Sequence, residues 1–138
     1  MAPQIEKHHD DDDIQKLSIS WDISNWEEKL ETIAEEITLF SNLISAYTNS
    51  KEGKSGYENL LQKLETLKVT NGNFHKNLIA YNLKLEGLKE CEDLQCETYF
   101  LNGHVQFKEN IEAFFSKYRK TKKSLFAKLN NSVYNKQA

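Results

Sequence analysis

Two of the four histidines, His75 and His104, fall in segments with a regular apolar spacing. A histidine in such a place can bind a metal, accept a phosphoryl group or serve as a hydrogen-bonded core residue. His104 occupies an apolar position of its segment, and His75 flanks one. A phosphotransfer bundle would need a lysine and a glycine in the turn after the histidine, and neither residue is followed by both. We interpret His104 as a structural residue and keep a histidine phosphotransfer-like bundle as a third hypothesis.

The sequence predicts no metal site and no cofactor. Carboxylate metal sites in helical bundles use Glu-x-x-His motifs on inward faces, and residues 24–131 contain no such spacing. His8 and His9 precede four aspartates, Asp10–Asp13. Neighbouring residues on a polar tail do not converge on one ion without a scaffold, so we expect no metal there.

Cys91 and Cys96 are separated by four residues. Zinc and redox motifs use a spacing of two, and two cysteines are too few for a disulfide scaffold. We therefore expect two thiols. A turn between helices could still bring the pair to disulfide distance, so pairing stays open.

No Ser/His/Asp arrangement, glycine-rich phosphate loop or nucleotide motif occurs in the sequence. The prediction is therefore that the protein is not an enzyme and has no catalytic residue. No apolar run approaches the ~18 residues of a membrane span, and Met1–Asp13 lacks the apolar centre of a signal peptide. The predicted location is the cytoplasm.

Charge is unevenly distributed along the chain. Residues 1–112 contain 11 basic and 21 acidic residues, whereas residues 113–138 contain seven basic and no acidic residue. A basic patch could neutralise the phosphates of nucleic acid or of an anionic membrane. Cations near a helix C-terminus also complement the helix dipole, which is the simpler interpretation. The patch that a nucleic acid would contact consists of Lys117, Arg119, Lys120, Lys122 and Lys123.

Three long segments must position these residues, and each has apolar residues at alternating spacings of four and three. This heptad pattern is typical of helices packed lengthwise, and scarce Gly and Pro agree with an all-α fold. Residues 49–56 and 90–97 form the predicted connections. The predicted seams are Trp26, Leu30, Ile33, Ile37, Phe40, Ile44 and Tyr47; Tyr57, Leu60, Leu64, Leu67, Asn71, Phe74, Leu78, Tyr81, Leu85 and Leu88; and Phe100, His104, Phe107, Ile111, Phe114, Tyr118, Thr121 and Leu125.

The predicted architecture is an up-down-up antiparallel bundle of three long helices, with coiled-coil-like seams and an extended N-terminal flap. Residues 1–13 read as a disordered polar leader. Residues 14–23 alternate apolar and polar side chains with a period of two, which predicts an extended segment. The bundle covers residues 24–131, and residues 132–138 are expected to fray.

The three predicted helices differ in length, which leaves part of the second and third helices without a first-helix neighbour. Trp21 in the flap is expected to cover this gap as a structural residue. Ile79 and Leu83 lie one turn apart, away from the main seam, and could receive Trp21. Alternatively, the two form an exposed patch for a partner, and a homodimer is also open.

Asn71 occupies a seam position among leucines. A single polar residue there commonly fixes the alignment of the helices at some cost in stability, so Asn71 is predicted to be structural. The leading functional hypothesis is a non-catalytic protein–protein interaction module or small adaptor. The alternative is a nucleic-acid-associated protein that uses the basic end of the third helix.

Overall fold

The computed structural model describes the backbone of residues 2–48 and 54–137 and the side chains of residues 15–48 and 56–131. Helix α1 spans Ala2–Thr48, α2 spans Lys54–Lys84, and α3 spans Leu94–Gln137, with a 3-10 helix at Leu85–Glu90 between α2 and α3. The described residues contain no strand. The prediction of an all-α fold with three long helices is confirmed.

The core is one apolar seam that all three helices share. Buried α1 residues keep the four-three spacing over more than 25 residues, and α2 and α3 contribute aromatic and aliphatic side chains to the same cluster. Burial of this seam supplies the main driving force for helix packing. Its least exposed side chains are Leu30, Ile37, Ile44, Leu64, Ile111 and Leu125.

Contacts between the helices follow a consistent order. From α1 to α2, Tyr47 contacts Tyr57 and Leu30 contacts Asn71, so the numbers rise on one helix as they fall on the other. From α1 to α3, Asp22 contacts His104, whereas Phe40 contacts Phe126, so the numbers rise together.

The extended flap is wrong, because residues 14–23 belong to α1. Ile19 and Ile23 are 6% and 7% exposed, whereas Leu17 and Trp21 are 69% and 67% exposed. Ile19 and Ile23 are four residues apart, and Trp26 follows three later, so the two isoleucines extend the heptad spacing of α1 backwards. The period of two arose because a second apolar pair, Leu17 and Trp21, occupies the outer face.

The predicted role of Trp21 as a lid is wrong for the same reason. Its side chain is 67% exposed, and Ile79 and Leu83 are 52% and 65% exposed, so Trp21 does not cover them. The predicted gap closes because α1 continues as a helix along α2 and α3, where Ile19 and Ile23 are buried.

The predicted ends of the helices also need correction. The leader, predicted to be disordered, lies within α1 from Ala2 onward, and the frayed segment lies within α3 as far as Gln137. Side chains of residues 1–14 and 132–138, including His8 and His9, lie outside those described. Of the first predicted turn, residues 49–53 are likewise outside the described part. Helix α3 begins six residues before its first predicted seam residue.

The second connection is closed by a disulfide between Cys91 and Cys96, with 5.5 Å between their Cα atoms. The expectation of two thiols is therefore wrong. The side chain of Asp93 accepts a hydrogen bond of 2.7 Å from the Cys96 amide, which caps the first turn of α3. The cap lies inside the loop that the disulfide closes, and the spacing of the two cysteines alone did not reveal the bond.

Removing the disulfide with Cys91→Ser and Cys96→Ser is expected to lower the free energy of unfolding by about 2 kcal/mol, because the bond closes a short loop in the unfolded chain. Urea unfolding under non-reducing conditions measures this difference. Reductant should lower the stability of the wild type by a similar amount and leave the double variant unchanged. A wild type as stable with reductant as without it would contradict the expectation.

Asn71 is 5% exposed, and its Nδ2 donates a hydrogen bond of 3.0 Å to the Leu30 carbonyl oxygen. Its Oδ1 is buried and has no hydrogen-bond partner among the described residues. A buried polar atom without a partner lowers stability, typically by 1–3 kcal/mol. The Asn71 side chain thus fixes how α2 is aligned along α1, and its unpaired oxygen lowers the stability of the folded chain.

Asn71→Leu is expected to raise the free energy of unfolding by about 1 kcal/mol, because it removes the unpaired oxygen and adds apolar burial. Thermal unfolding measures the change, which should appear as a higher midpoint. Asn73→Leu, at an exposed position of the same helix, is the matched control and should leave the midpoint nearly unchanged. An Asn71→Leu midpoint at or below the wild-type value would contradict the interpretation.

Within the described part of the chain, none of the helices combines the length and the hydropathy needed to cross a membrane.

Candidate functional site

A buried polar network joins the three helices near the start of α3. His104 of α3 lies with its Nε2 2.9 Å from Asp22 Oδ2 of α1 and its Nδ1 2.7 Å from the Tyr81 hydroxyl of α2. Asp22 and His104 are 8% and 7% exposed. Each helix thus contributes one polar side chain to a chain of hydrogen bonds across an otherwise apolar seam.

Aromatic rings enclose this network. The Trp26 ring stacks on the His104 ring, with 5.2 Å between their centroids, and the Phe107 ring packs against both Trp26 and Tyr81. The Lys108 ammonium lies 3.9 Å from Asp22 Oδ2. Burying a carboxylate is costly unless hydrogen bonds and nearby charges of this kind compensate it.

Burial, together with the nearby Asp22 charge, raises the pKa of Tyr81 to about 12. The phenol therefore remains protonated at neutral pH. We assign the Tyr81 hydroxyl as donor to His104 Nδ1, which leaves His104 Nε2–H to donate to Asp22. Both ring nitrogens of His104 are occupied, so this arrangement favours a structural histidine over a phosphoryl acceptor.

An open groove of about 360 Å³ adjoins the network and has Tyr81 in its wall. Lys84 donates a hydrogen bond of 2.9 Å to the Tyr99 hydroxyl in the same groove, and its ammonium lies over the Tyr99 ring. Lys84 is the one cationic residue among the described residues that line the groove, and both contacts engage its ammonium. No described carboxylate lines the groove. The groove does not assemble a general acid with a nucleophile.

The predicted contact residues Ile79 and Leu83 lie on the outer face of α2, where they line a groove with Ile23 and Leu78. Trp21 lies at the same height along the bundle. It precedes Asp22, which is hydrogen-bonded to His104, and His104 is hydrogen-bonded to Tyr81 of α2. Leu17 is one turn before Trp21 on α1. We call Leu17, Trp21, Ile79 and Leu83 the apolar end surface, and all four are more than half exposed.

The five predicted basic residues do not share one face. Lys117 lines a groove with α2 residues, whereas Arg119 lines a groove with α1 residues. Lys122 donates a hydrogen bond of 2.6 Å to Glu36 Oε2. Lys120 and Lys123 are exposed on the outer side of α3.

Glu36 also accepts a hydrogen bond of 2.9 Å from the Tyr118 hydroxyl. Burial and this bond to Glu36 raise the pKa of Tyr118 well above its ordinary value. Part of the basic segment therefore serves the packing of α3 on α1. The five basic residues of the nucleic-acid alternative are divided between different sides of α3.

A second cluster, which the sequence did not reveal, lies on the outer side of the α1–α2 contact. Glu27, Glu31 and His75 each place one possible ligand atom within 4.8 Å of the others. Glu27 and Glu31 are exposed and His75 is half-buried. The sequence shows the four-residue spacing of the two glutamates. Only the alignment of α2 along α1 in the folded chain shows that His75 faces them.

Comparison with known proteins gives no relative from which to transfer a function. No protein-family model, curated protein or solved structure matches the chain. The functional argument therefore depends on the geometry of these clusters and surfaces alone.

Tyr81→Phe is expected to reduce the loss of stability at alkaline pH. Because the pKa of Tyr81 is higher in the folded chain, the protonated phenol stabilises the folded state. This contribution is fully present below pH 10, the ordinary tyrosine pKa, and is lost as the pH rises towards about 12. Urea unfolding from neutral pH to about pH 11.5 should show a shallower decrease for this variant than for the wild type. The decrease should not vanish, because Tyr118 remains.

The matched control is Tyr99→Phe, at a position that is 59% exposed. Its alkaline decrease should follow that of the wild type. At neutral pH, Tyr81→Phe should also lower the free energy of unfolding by about 1 kcal/mol, because His104 Nδ1 loses its donor. Parallel curves for the wild type and Tyr81→Phe would contradict the assignment.

Proposed function

We propose that the protein is a non-catalytic interaction module that binds a helix of another protein on the apolar end surface. The observation that carries this proposal is the exposure of four large apolar side chains at one end of the bundle, from 52% for Ile79 to 69% for Leu17. Ile79 and Leu83 lie together beside one groove, and apolar side chains exposed together mark interaction sites more often than single exposed ones do.

The composition of the surface supports a protein as partner. Tryptophan is enriched among the residues that dominate binding energy, and Trp21 is 67% exposed on α1. Ile79 and Leu83 are spaced by one helical turn and flank a groove, which suits a helix that presents apolar residues at the same spacing. Two residues that line this groove, Ile23 and Leu78, are buried in the core.

The charge around this surface favours a basic partner helix. Glu27 lines the groove with Ile79 and Leu83. Glu31, one turn further along α1, and Glu86 of the 3-10 helix are also exposed. The first 112 residues carry an excess of acidic residues. Opposite charges at the rim of an interface speed association and set orientation more than they add affinity. We therefore propose an amphipathic helix with lysine or arginine beside its apolar stripe.

The proposal takes the three helices as an up-down-up bundle with coiled-coil-like seams. The opposite order of the α1–α2 contacts and the parallel order of the α1–α3 contacts support this arrangement. The predicted cytoplasmic location is not part of the proposal, because the Cys91–Cys96 disulfide is typical of an oxidising compartment.

The test is capture of partners from native extract with the full chain, followed by titration of a peptide that carries the bound helix. Ile79→Gln with Leu83→Gln should weaken peptide binding at least about tenfold, as expected for residues that dominate an interface. Val69→Gln is the matched control, since Val69 is 56% exposed on α2 away from this end. Equal affinity for all three proteins would contradict the proposal.

Nuclease treatment of the extract separates the alternatives. A partner that survives nuclease and is lost only with the Ile79 and Leu83 changes supports the interaction module. Capture that nuclease abolishes, and that Lys120→Gln with Lys123→Gln also abolishes, would instead support the nucleic-acid alternative. Sedimentation of the chain alone would identify a second copy as the occupant of the surface.

A further inference from the structure

We propose that Glu27, Glu31 and His75 form a Zn²⁺-binding site that joins α1 to α2. The proposal does not rest on the interaction module above, although it shares with it Glu27 and the groove beside Ile79 and Leu83. It depends on three potential ligands from two helices that face one another, and on the absence of any other described partner for them.

The geometry places the ligands within reach of one ion. Glu27 and Glu31 are four residues apart, so they lie one above the other on the same face of α1. His75 faces them from α2, and the three ligand atoms lie within 4.8 Å of one another. Ligand atoms around a zinc ion lie about 3.3 Å apart, given bonds of about 2.0–2.1 Å. Small rotations of the exposed glutamate side chains close this difference.

The charges of the cluster favour a cation. Two carboxylates at this spacing on a helix repel each other. Within residues 15–48 and 56–131, no side-chain hydrogen bond or salt bridge involves Glu27, Glu31 or His75. The lysine nearest in sequence to both glutamates, Lys29, points elsewhere, with its ammonium 5.3 Å from the centroid of the Phe115 ring of α3. A divalent ion would relieve the repulsion and give His75 a partner.

The donor set selects the class of metal. Calcium and magnesium prefer oxygen ligands alone, whereas zinc readily combines imidazole nitrogen with carboxylate oxygen. Three protein ligands leave a fourth position for water. Glu27 and His75 also line the groove of Ile23 and Leu78, so one side of the site is apolar. Apolar surroundings strengthen the attraction between an ion and its ligands.

The test titrates Zn²⁺ alone into the oxidised full chain by calorimetry. His8→Asn and His9→Asn are present in every sample, so that the leader contributes no imidazole. In this background, His75→Asn and Glu31→Gln should each weaken Zn²⁺ binding at least about tenfold. Glu35→Gln, at an exposed α1 position outside the cluster, is the matched control and should bind as the background protein does.

Two further readouts keep the proposal testable if a variant folds poorly. Zn²⁺ should raise the unfolding midpoint of the background protein and not that of His75→Asn, because only the folded chain brings the helices together. Imidazole NMR signals of His75 should move on addition of Zn²⁺, while those of the buried His104 stay in place. Unchanged affinity in His75→Asn, or an unmoved His75 signal at saturating Zn²⁺, would overturn the proposal.

Discussion

The alignment of the three helices depends on the few polar side chains that enter their shared apolar seam. An apolar heptad seam holds helices together, but shifting one helix by a heptad replaces apolar contacts with similar ones. The bonds of His104 to Asp22 and Tyr81, and the bond of Asn71 to the Leu30 carbonyl, exist in one alignment only. Buried polar groups without partners are costly, so the shifted alignments lose stability.

The fold was predictable because the heptad spacing persists through each helix, including across Asn71-Gly72-Asn73, where a turn could have been expected. The extended flap was wrongly predicted because two apolar pairs on different faces of α1 together give the alternation typical of a strand. Ile19 and Ile23 are buried, whereas Leu17 and Trp21 are exposed. A short alternating run fits both structures, and its agreement with the following heptads decides between them.

The candidate sites were less predictable, since they depend on contacts between residues far apart in sequence. The seam position of His104 indicated burial, but nothing local connected it to Asp22, 82 residues earlier. Likewise, whether His75 faces Glu27 and Glu31 depends on how α2 is aligned along α1. Ile79 and Leu83 were identifiable because exposure follows from helical phase alone. Glu27 and His75 line the same groove as Ile79 and Leu83, so both proposals concern the outer side of α1 and α2.

A double-mutant cycle between Asp22 and His104 tests this account most directly. Asp22→Ala, His104→Phe and the combined variant are compared with the wild type by urea unfolding. The account predicts a favourable coupling energy of about 1–3 kcal/mol, because each single change leaves a buried polar partner unpaired. A coupling energy below about 0.3 kcal/mol would mean that the two changes act independently. The alignment of α3 against α1 described here would then be wrong.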